Sequence, residues 1–229
     1  MGTFIKLSAA DGAQTPAYVA QPLSAPKGAV VVLQEIFGVN QHIQEVAEAY
    51  AAEGFLAIAP AVFQRVQVDV DLGYGEADRA LGMGLKTAAE ALPSPGVLQD
   101  IQAAIDHAKA QGCDKVGVVG YCWGGLLSWR AACLLNNLSA AVTYYGGGMT
   151  SEAESLRQSK VPLMAHFAEE DKWISMASVN AFQTAHPQAE VLTYAADHGF
   201  NCNHRGAWHA ESAQMAQQRS LAFFKLHLR

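Results

Sequence analysis

Four side chains of different chemistry stand just past four apolar runs of this chain: Glu35 after Val30 to Leu33, Cys122 after Val116 to Val119, Asp171 after Val161 to Phe167, and His198 after Glu190 to Tyr194. Cys122 has the most telling surroundings, Gly120-Tyr121-Cys122-Trp123-Gly124-Gly125. Glycines around one residue on a strand-to-helix turn let the backbone bend sharply and lift that residue above a sheet edge, as in a nucleophile elbow. Serine usually occupies the place. A cysteine there directs the chemistry to covalent attack by a thiolate. The same glycines also serve plain helix–strand packing around an inert buried thiol, so the partners decide between the readings.

His198, in the loop Asp197-His198-Gly199-Phe200, is placed to be the general base, and Asp171, closing Phe167-Ala168-Glu169-Glu170-Asp171, to orient its imidazole. Rivals exist for both. Asp197 adjoins His198 in sequence and is badly placed to face its ring, while Glu169 and Glu170 read as solvated rim charges. His166 lies within a strand pattern and reads as a satisfied core histidine; His204 and His209 lie farther from the strand end. A lone surface histidine is the reading for the rest, including His186 and His227. The Gln34-Glu35-Ile36-Phe37-Gly38 loop supplies the fourth group and one oxyanion donor, the Ile36 N–H, to act with the Trp123 N–H. A carboxylate at Glu35 beside the thiol opposes its ionisation, while a helix N-terminus favours it. That competition describes a gated nucleophile. Phe37, Tyr144 and Trp173 are candidates for the pocket wall, with core packing as the alternative.

These residues need a scaffold that gathers strand ends. Thr3 to Leu7 and Thr15 to Ala20 flank the turn signal Asp11-Gly12 as a hairpin. Buried strands follow at Ala29 to Leu33 and Phe55 to Ala59, separated by a helix over Gln41 to Glu53 that Gly54 stops. Residues 61–96 show only a loosely helical stretch around Glu76 to Leu92 and read as an insertion capping the site. Beyond them come a helix through Leu98, Ile101, Ile105 and Ala108, the strand before Cys122, and a helix from Gly124 to about Leu135. Strands at Ala140 to Tyr145, Val161 to Phe167 and Glu190 to Tyr194 complete the sheet, with helices over Ser175 to Ala185 and Ala207 to His227. This alternation predicts one α/β domain spanning 1–229: a mostly parallel sheet covered on both faces, with an antiparallel start, whose reactive groups gather at the strands' carboxyl ends.

Composition narrows the partners. The chain has 229 residues, 51% of them hydrophobic, and a formal net charge of -6. Such a balance carries no basic stripe for nucleic acid and leaves a small molecule as the substrate. Met1 to Lys6 has no apolar leader pattern and no run approaches a membrane span, so a cytoplasmic protein without membrane contact is expected. Cys113, Cys122, Cys133 and Cys202 have neither CxxC pairing nor the density of a disulfide framework.

Taken together, the Gln34 to Gly38 loop, the Gly120 to Gly125 elbow, Asp171 and His198-Gly199-Phe200 resemble the dienelactone hydrolase (carboxymethylenebutenolidase) family over essentially the whole chain. The resemblance implies an α/β-hydrolase fold and a Cys122, His198, Asp171 triad that opens a carboxylate-bearing unsaturated lactone without a metal or organic cofactor. It implies that Glu35 restrains the resting thiol and releases it when substrate binds. It also implies two arginines for the substrate carboxylate, and Arg79 and Arg205 are the nearest matches. Here Asn201-Cys202-Asn203-His204 sets Arg205 farther from His198 than the family pattern does. An esterase or thioesterase acting on another small acyl group, and a ligand-binding or redox-sensing protein without turnover, stay open as alternatives. The oligomeric state is open between monomer and small homo-oligomer.

Overall fold

The computed structural model describes residues 2–228; Met1 and Arg229, the ends of the expected domain, lie outside the described residues. The N-terminal hairpin pairs β1 (Thr3–Ser8) with β2 (Gln14–Ala20), and Gly12 takes the positive φ of 85° that its turn demands. Next come β3 (Ala29–Leu33), α1 (Gln41–Ala52), β4 (Leu56–Pro60), α2 (Glu76–Glu90) and α3 (Leu98–Ala110). The second half runs β5 (Val116–Tyr121), α4 (Trp123–Leu134), β6 (Ala140–Tyr144), α5 (Glu152–Ser155), β7 (Leu163–Ala168), α6 (Met176–Ala185), β8 (Glu190–Tyr194) and α7 (Ala210–His227).

The strands form one sheet in the order β1-β2-β4-β3-β5-β6-β7-β8. β2 is antiparallel to both β1 and β4, and every other pairing is parallel. This is the α/β-hydrolase architecture with its antiparallel start. All five residues of β3 are 0% exposed. Successive strand side chains point to opposite faces, so that burial requires helices on both sides of the sheet. Burying a Val or Leu side chain contributes about 1.5–3 kcal/mol, and β3 buries four of them and β5 three. The loops leaving their carboxyl ends are therefore held by the most rigid part of the molecule.

Local chemistry sets several boundaries away from the pattern reading. β5 runs on through Gly120 and Tyr121, so the turn is concentrated at Cys122 alone. β6 stops at Tyr144 because Tyr145 swings to φ 38°. α7 begins at Ala210, not Ala207, because His209 is its N-cap and the ring accepts from the Ser212 N–H. The 61–96 stretch is tied onto the β3 loop: Leu72 N–H donates to the Phe37 carbonyl at 2.9 Å, and the Asn40 side-chain amide donates to the Leu72 carbonyl and the Tyr74 hydroxyl, both at 3.1 Å. Asn40 is also the N-cap of α1, accepting from Ile43 N–H. One residue thus joins α1, the loop bearing Glu35 and the run leading into α2. Among the described residues no helix is long and apolar enough to cross a membrane.

Candidate active site

Cys122 lies between β5 and α4 at φ 54°, ψ -116°. A non-glycine residue there costs about 1–3 kcal/mol and persists only where its surroundings over-determine it. They do so here. Cys122 N–H donates to the Tyr144 carbonyl at 3.0 Å, and the Cys122 carbonyl accepts from Gly125 N–H at 3.0 Å and Gly147 N–H at 3.3 Å. The flanking glycines are a packing necessity, because a Cβ on Gly120 would enter the Gly124 carbonyl and one on Gly124 would enter the Leu33 and Gln34 carbonyls. The thiol is thereby raised at the carboxyl edge of the sheet, half-buried, at the N-terminus of a helix.

His198 Nδ1 lies 2.7 Å from Asp171 Oδ2, and both side chains are buried. Asp171 Oδ1 accepts from Trp173 N–H at 2.8 Å and Ile174 N–H at 3.1 Å, which fixes the carboxylate plane. Cys122 is the other side-chain partner of the same imidazole. With Nδ1 on Asp171, Nε2 is the nitrogen left for sulfur. Burial pulls the imidazolium pKa down, but the negative charge of an ionised Cys122, its hydrogen bond, and the bond and charge of Asp171 outweigh it and push His198 up to about 10. The geometry therefore accommodates a thiolate–imidazolium pair held by a carboxylate.

Glu35 is buried behind this group, and its Oε1 accepts from Arg205 Nη1 at 2.8 Å. The Arg205 guanidinium also lies over the Phe37 ring at 5.8 Å and the Tyr74 ring at 5.9 Å. Neither Ile36 N–H nor Trp123 N–H enters a hydrogen bond among the described residues, leaving both free to face an oxyanion. Ile36, Cys122, Trp123 and His198 border one cavity of about 670 Å³. Phe37, Arg205 and Trp173 line it too, Trp173 as a rim residue 64% exposed whose ring meets His198 edge-on at 5.0 Å. Trp123 takes up less of the cavity than its size suggests. Its indole is folded back, stacked on Phe63 at 4.9 Å and donating to Glu90 Oε1 at 3.1 Å.

One wall comes from the 61–96 stretch, where Arg79, Met83 and Lys86 recur at helical spacing on α2 and face the cavity. Met83 and Lys86 join the expected Arg79 on this wall because one helix face carries all three. Arg79 is exposed, and its guanidinium has no hydrogen-bond or ion-pair partner among the described residues. Tyr144 is a correction. Its side chain is 1% exposed and turned into the core, with its hydroxyl 2.7 Å from Ser220 Oγ. The neighbouring Tyr145 comes to the site instead, its ring 4.9 Å from that of His198.

The rivals fall away from the thiol. Asp197 Oδ1 accepts from the backbone N–H of His198 at 2.7 Å, not from its ring. Glu169 and Glu170 are exposed, and both His166 ring nitrogens are satisfied in the core, by Tyr194 and Ser220. His204 pairs with Glu45 near the surface, and His209 caps α7. A surface reading fails for His42 and His186, which are 3% and 0% exposed. Trp129 and Phe182 enclose His186, while His42 packs against Tyr121 and His204 and meets Asn203, contacts largely between distant parts of the chain that a single polar letter does not advertise.

The dienelactone hydrolase family model matches residues 15–228. A protein of Synechocystis sp. named "Putative carboxymethylenebutenolidase" is 34% identical, the alignment covering 94% of this chain and 93% of that one. A protein of the same name from Yersinia pestis is 33% identical over 94% of this chain and 85% of its own. Among solved structures, that of a "Putative Dienelactone Hydrolase" from Klebsiella pneumoniae superposes with a TM-score of 0.85 at 29% identity, covering 99% of both chains.

Proposed function

The chain belongs to the dienelactone hydrolase family, and from that premise we propose that it is a hydrolase that opens small carboxylate-bearing unsaturated lactones through a thioester on Cys122. The observation that carries the reading is the Cys122, His198, Asp171 constellation opening onto the 670 Å³ cavity with an unpaired arginine on its wall. The thiolate attacks the lactone carbonyl, whose oxygen takes the negative charge and is received by the Ile36 and Trp123 N–H groups. Collapse breaks the ring C–O bond, and the ring oxygen takes the proton from His198, leaving a thioester and a neutral imidazole. That imidazole then removes a proton from water as the water attacks the thioester. Sulfur leaves as thiolate, the product departs as a free acid, and the starting ion pair is restored. No external oxidant or cofactor enters this balance.

Arg79 and Arg205 are the proposed contacts for the substrate carboxylate, and their situations differ. Arg205 is committed to Glu35 in the resting protein, whereas Arg79 is free. A fork-shaped cation matters only to a substrate with an anion to offer. Arg79→Ala is expected to lower kcat/KM on a carboxylated dienelactone by about 10–100-fold and to leave neutral aryl esters nearly unchanged. Equal losses on both classes would assign Arg79 a structural role. The same panel tests the reading as a whole: turnover of neutral esters or thioesters with no preference for carboxylated lactones would make the protein a general acyl hydrolase. Thiol modification without any turnover would make it a sensor.

Glu35 is proposed to restrain the resting nucleophile. The buried carboxylate shares the Cys122 neighbourhood, and a substrate anion arriving at Arg205 competes for the cation that now holds it. Glu35→Gln keeps size and removes charge. The pH dependence of Cys122 alkylation by iodoacetamide is then expected to shift to lower pH while lactone turnover falls. An unchanged alkylation profile with normal turnover would make Glu35 a bystander.

A further inference from the structure

Behind the catalytic group, the ligating atoms of Glu35, His42 and Cys202 all lie within 4.8 Å of one another, in residues 1%, 3% and 0% exposed. Two of these residues have a polar atom without a partner. Glu35 uses Oε1 for Arg205, and its buried Oε2 has none; His42 Nδ1 meets Asn203 Oδ1 at 3.3 Å, and its buried Nε2 has none. An amide oxygen only accepts, so Nδ1 carries the ring proton and Nε2 presents a lone pair. Leaving such atoms buried without a partner is costly, and a bound cation would satisfy both.

Carboxylate, imidazole and thiolate together suit Zn²⁺ and related thiophilic ions rather than Mg²⁺ or Ca²⁺. The Asn203 contact on the far nitrogen is the kind that orients a metal-binding imidazole. Burial pulls the His42 pKa down, despite the nearby Glu35 charge, and so keeps the ring neutral. Burial and the Glu35 charge push Cys202 up to about 11, so it waits as a thiol until a cation displaces its proton. A second cavity, of about 270 Å³, is lined by His42, Glu45, Tyr121 and Asn203, and Glu45 with His204 forms around His42 another set of ligating atoms within 4.8 Å of one another.

We propose that Glu35 Oε2, His42 Nε2 and Cys202 Sγ form a binding site for Zn²⁺, entered through the cavity beside His42 and leaving one coordination position open. On binding, the Cys202 proton passes to solvent, and the carboxylate and thiolate charges balance those of the ion. The site does not depend on what Cys122 hydrolyses, because binding is measured without turnover.

The test is titration of the reduced full-length protein with Zn²⁺ against a chromophoric chelator, repeated with Co²⁺ to read thiolate-to-metal charge-transfer absorption. One equivalent per chain is expected, retained in Cys122→Ser. Cys202→Ser and His42→Gln are each expected to weaken it by at least about 100-fold, and Asn203→Ala by about 10-fold. The charge-transfer band should vanish in Cys202→Ser and persist in Cys122→Ser. Circular dichroism establishes that each variant is folded, and if one of the two ligand variants is not, the other decides. Zn²⁺ should also raise the thermal midpoint of the parent protein and not that of the folded ligand variants. Absence of a bound equivalent overturns the proposal. So does binding that survives Cys202→Ser but is lost in Cys122→Ser, which would place the ion on the other thiol, or binding that survives Cys202→Ser but is lost in His204→Ala, which would place it in the outer set.

Discussion

Cys122→Ala is expected to lower turnover of the best lactone or ester substrate by at least about 10³-fold while leaving the fold and substrate binding in place. Covalent attack disappears, but the Ile36 and Trp123 donors, the cavity and His198 remain to bind substrate and to assist water weakly. Alanine also tolerates the site sterically, since Cys122 makes its fixed hydrogen bonds through the backbone. Mass spectrometry of the parent enzyme on a slow ester should show an acyl adduct on Cys122 alone. Comparable activity in purified Cys122→Ala would remove it as nucleophile.

The same substitution has a pH signature. His198 is held at about 10 in the folded protein, with Cys122 the strongest influence raising it. Its ordinary value is about 6.5. A group whose pKa is raised on folding contributes stability that is complete below its unfolded value and is lost as the pH rises through its folded value. The parent protein should therefore lose thermal stability between about pH 6.5 and pH 10, with imidazole proton resonances of His198 titrating near the upper end. Removing the thiolate should move that titration down toward neutrality. A His198 resonance that titrates identically in both proteins would deny the ion pair.

Asp171→Asn is the second large effect, a fall of roughly 10³–10⁴-fold in kcat/KM with little loss of stability. The geometry dictates the direction. Oδ1 accepts two backbone N–H bonds, from Trp173 and Ile174, so the oxygen of the asparagine amide stays there and its NH₂ takes the position of Oδ2. That NH₂ would face His198 Nδ1, which must then accept rather than donate. The ring proton is driven to Nε2, and the nitrogen meant for the thiol proton is already protonated. Activity should not return on raising the pH, because the fault lies in the tautomer and not in total protonation. Near-parental rates in the variant would mean that another carboxylate orients the ring, with Asp197 the nearest in sequence.

Much of this architecture is legible in the chain because the signals are short-ranged. A run such as Ala29 to Leu33 can only be a strand buried on both faces, and a residue just past such a run stands at the sheet edge where it is needed. Gly120 reflects a contact within one turn of Cys122, with the Gly124 carbonyl, so motif and geometry coincide there, whereas Gly124 makes room for the Leu33 and Gln34 carbonyls at the end of the neighbouring strand. The positions of Cys122, Asp171 and His198 follow from that reasoning, because each follows a single strand and all parallel strands end on the same side.

Other features were decided only when the strands took their places. Tyr144 and Tyr145 are neighbours with opposite fates: the last residue of β6 sends its ring into the core, and the next, at φ 38°, turns its own toward His198. Side chains alternate across a sheet, so a shift of one residue exchanges core for site, and pattern reading does not place strand ends that finely. The face of α2 that lines the cavity depends on how the 61–96 stretch is pinned by Asn40, a contact between residues far apart in the chain. Arg205 meets Glu35 across 170 positions, and Cys202 meets His42 through the same folding of the last loop over the first. Local propensity gives a residue its secondary structure and its edge. Which distant charge it then faces is set by strand order and loop packing, and those energies exist only once the whole sheet has formed.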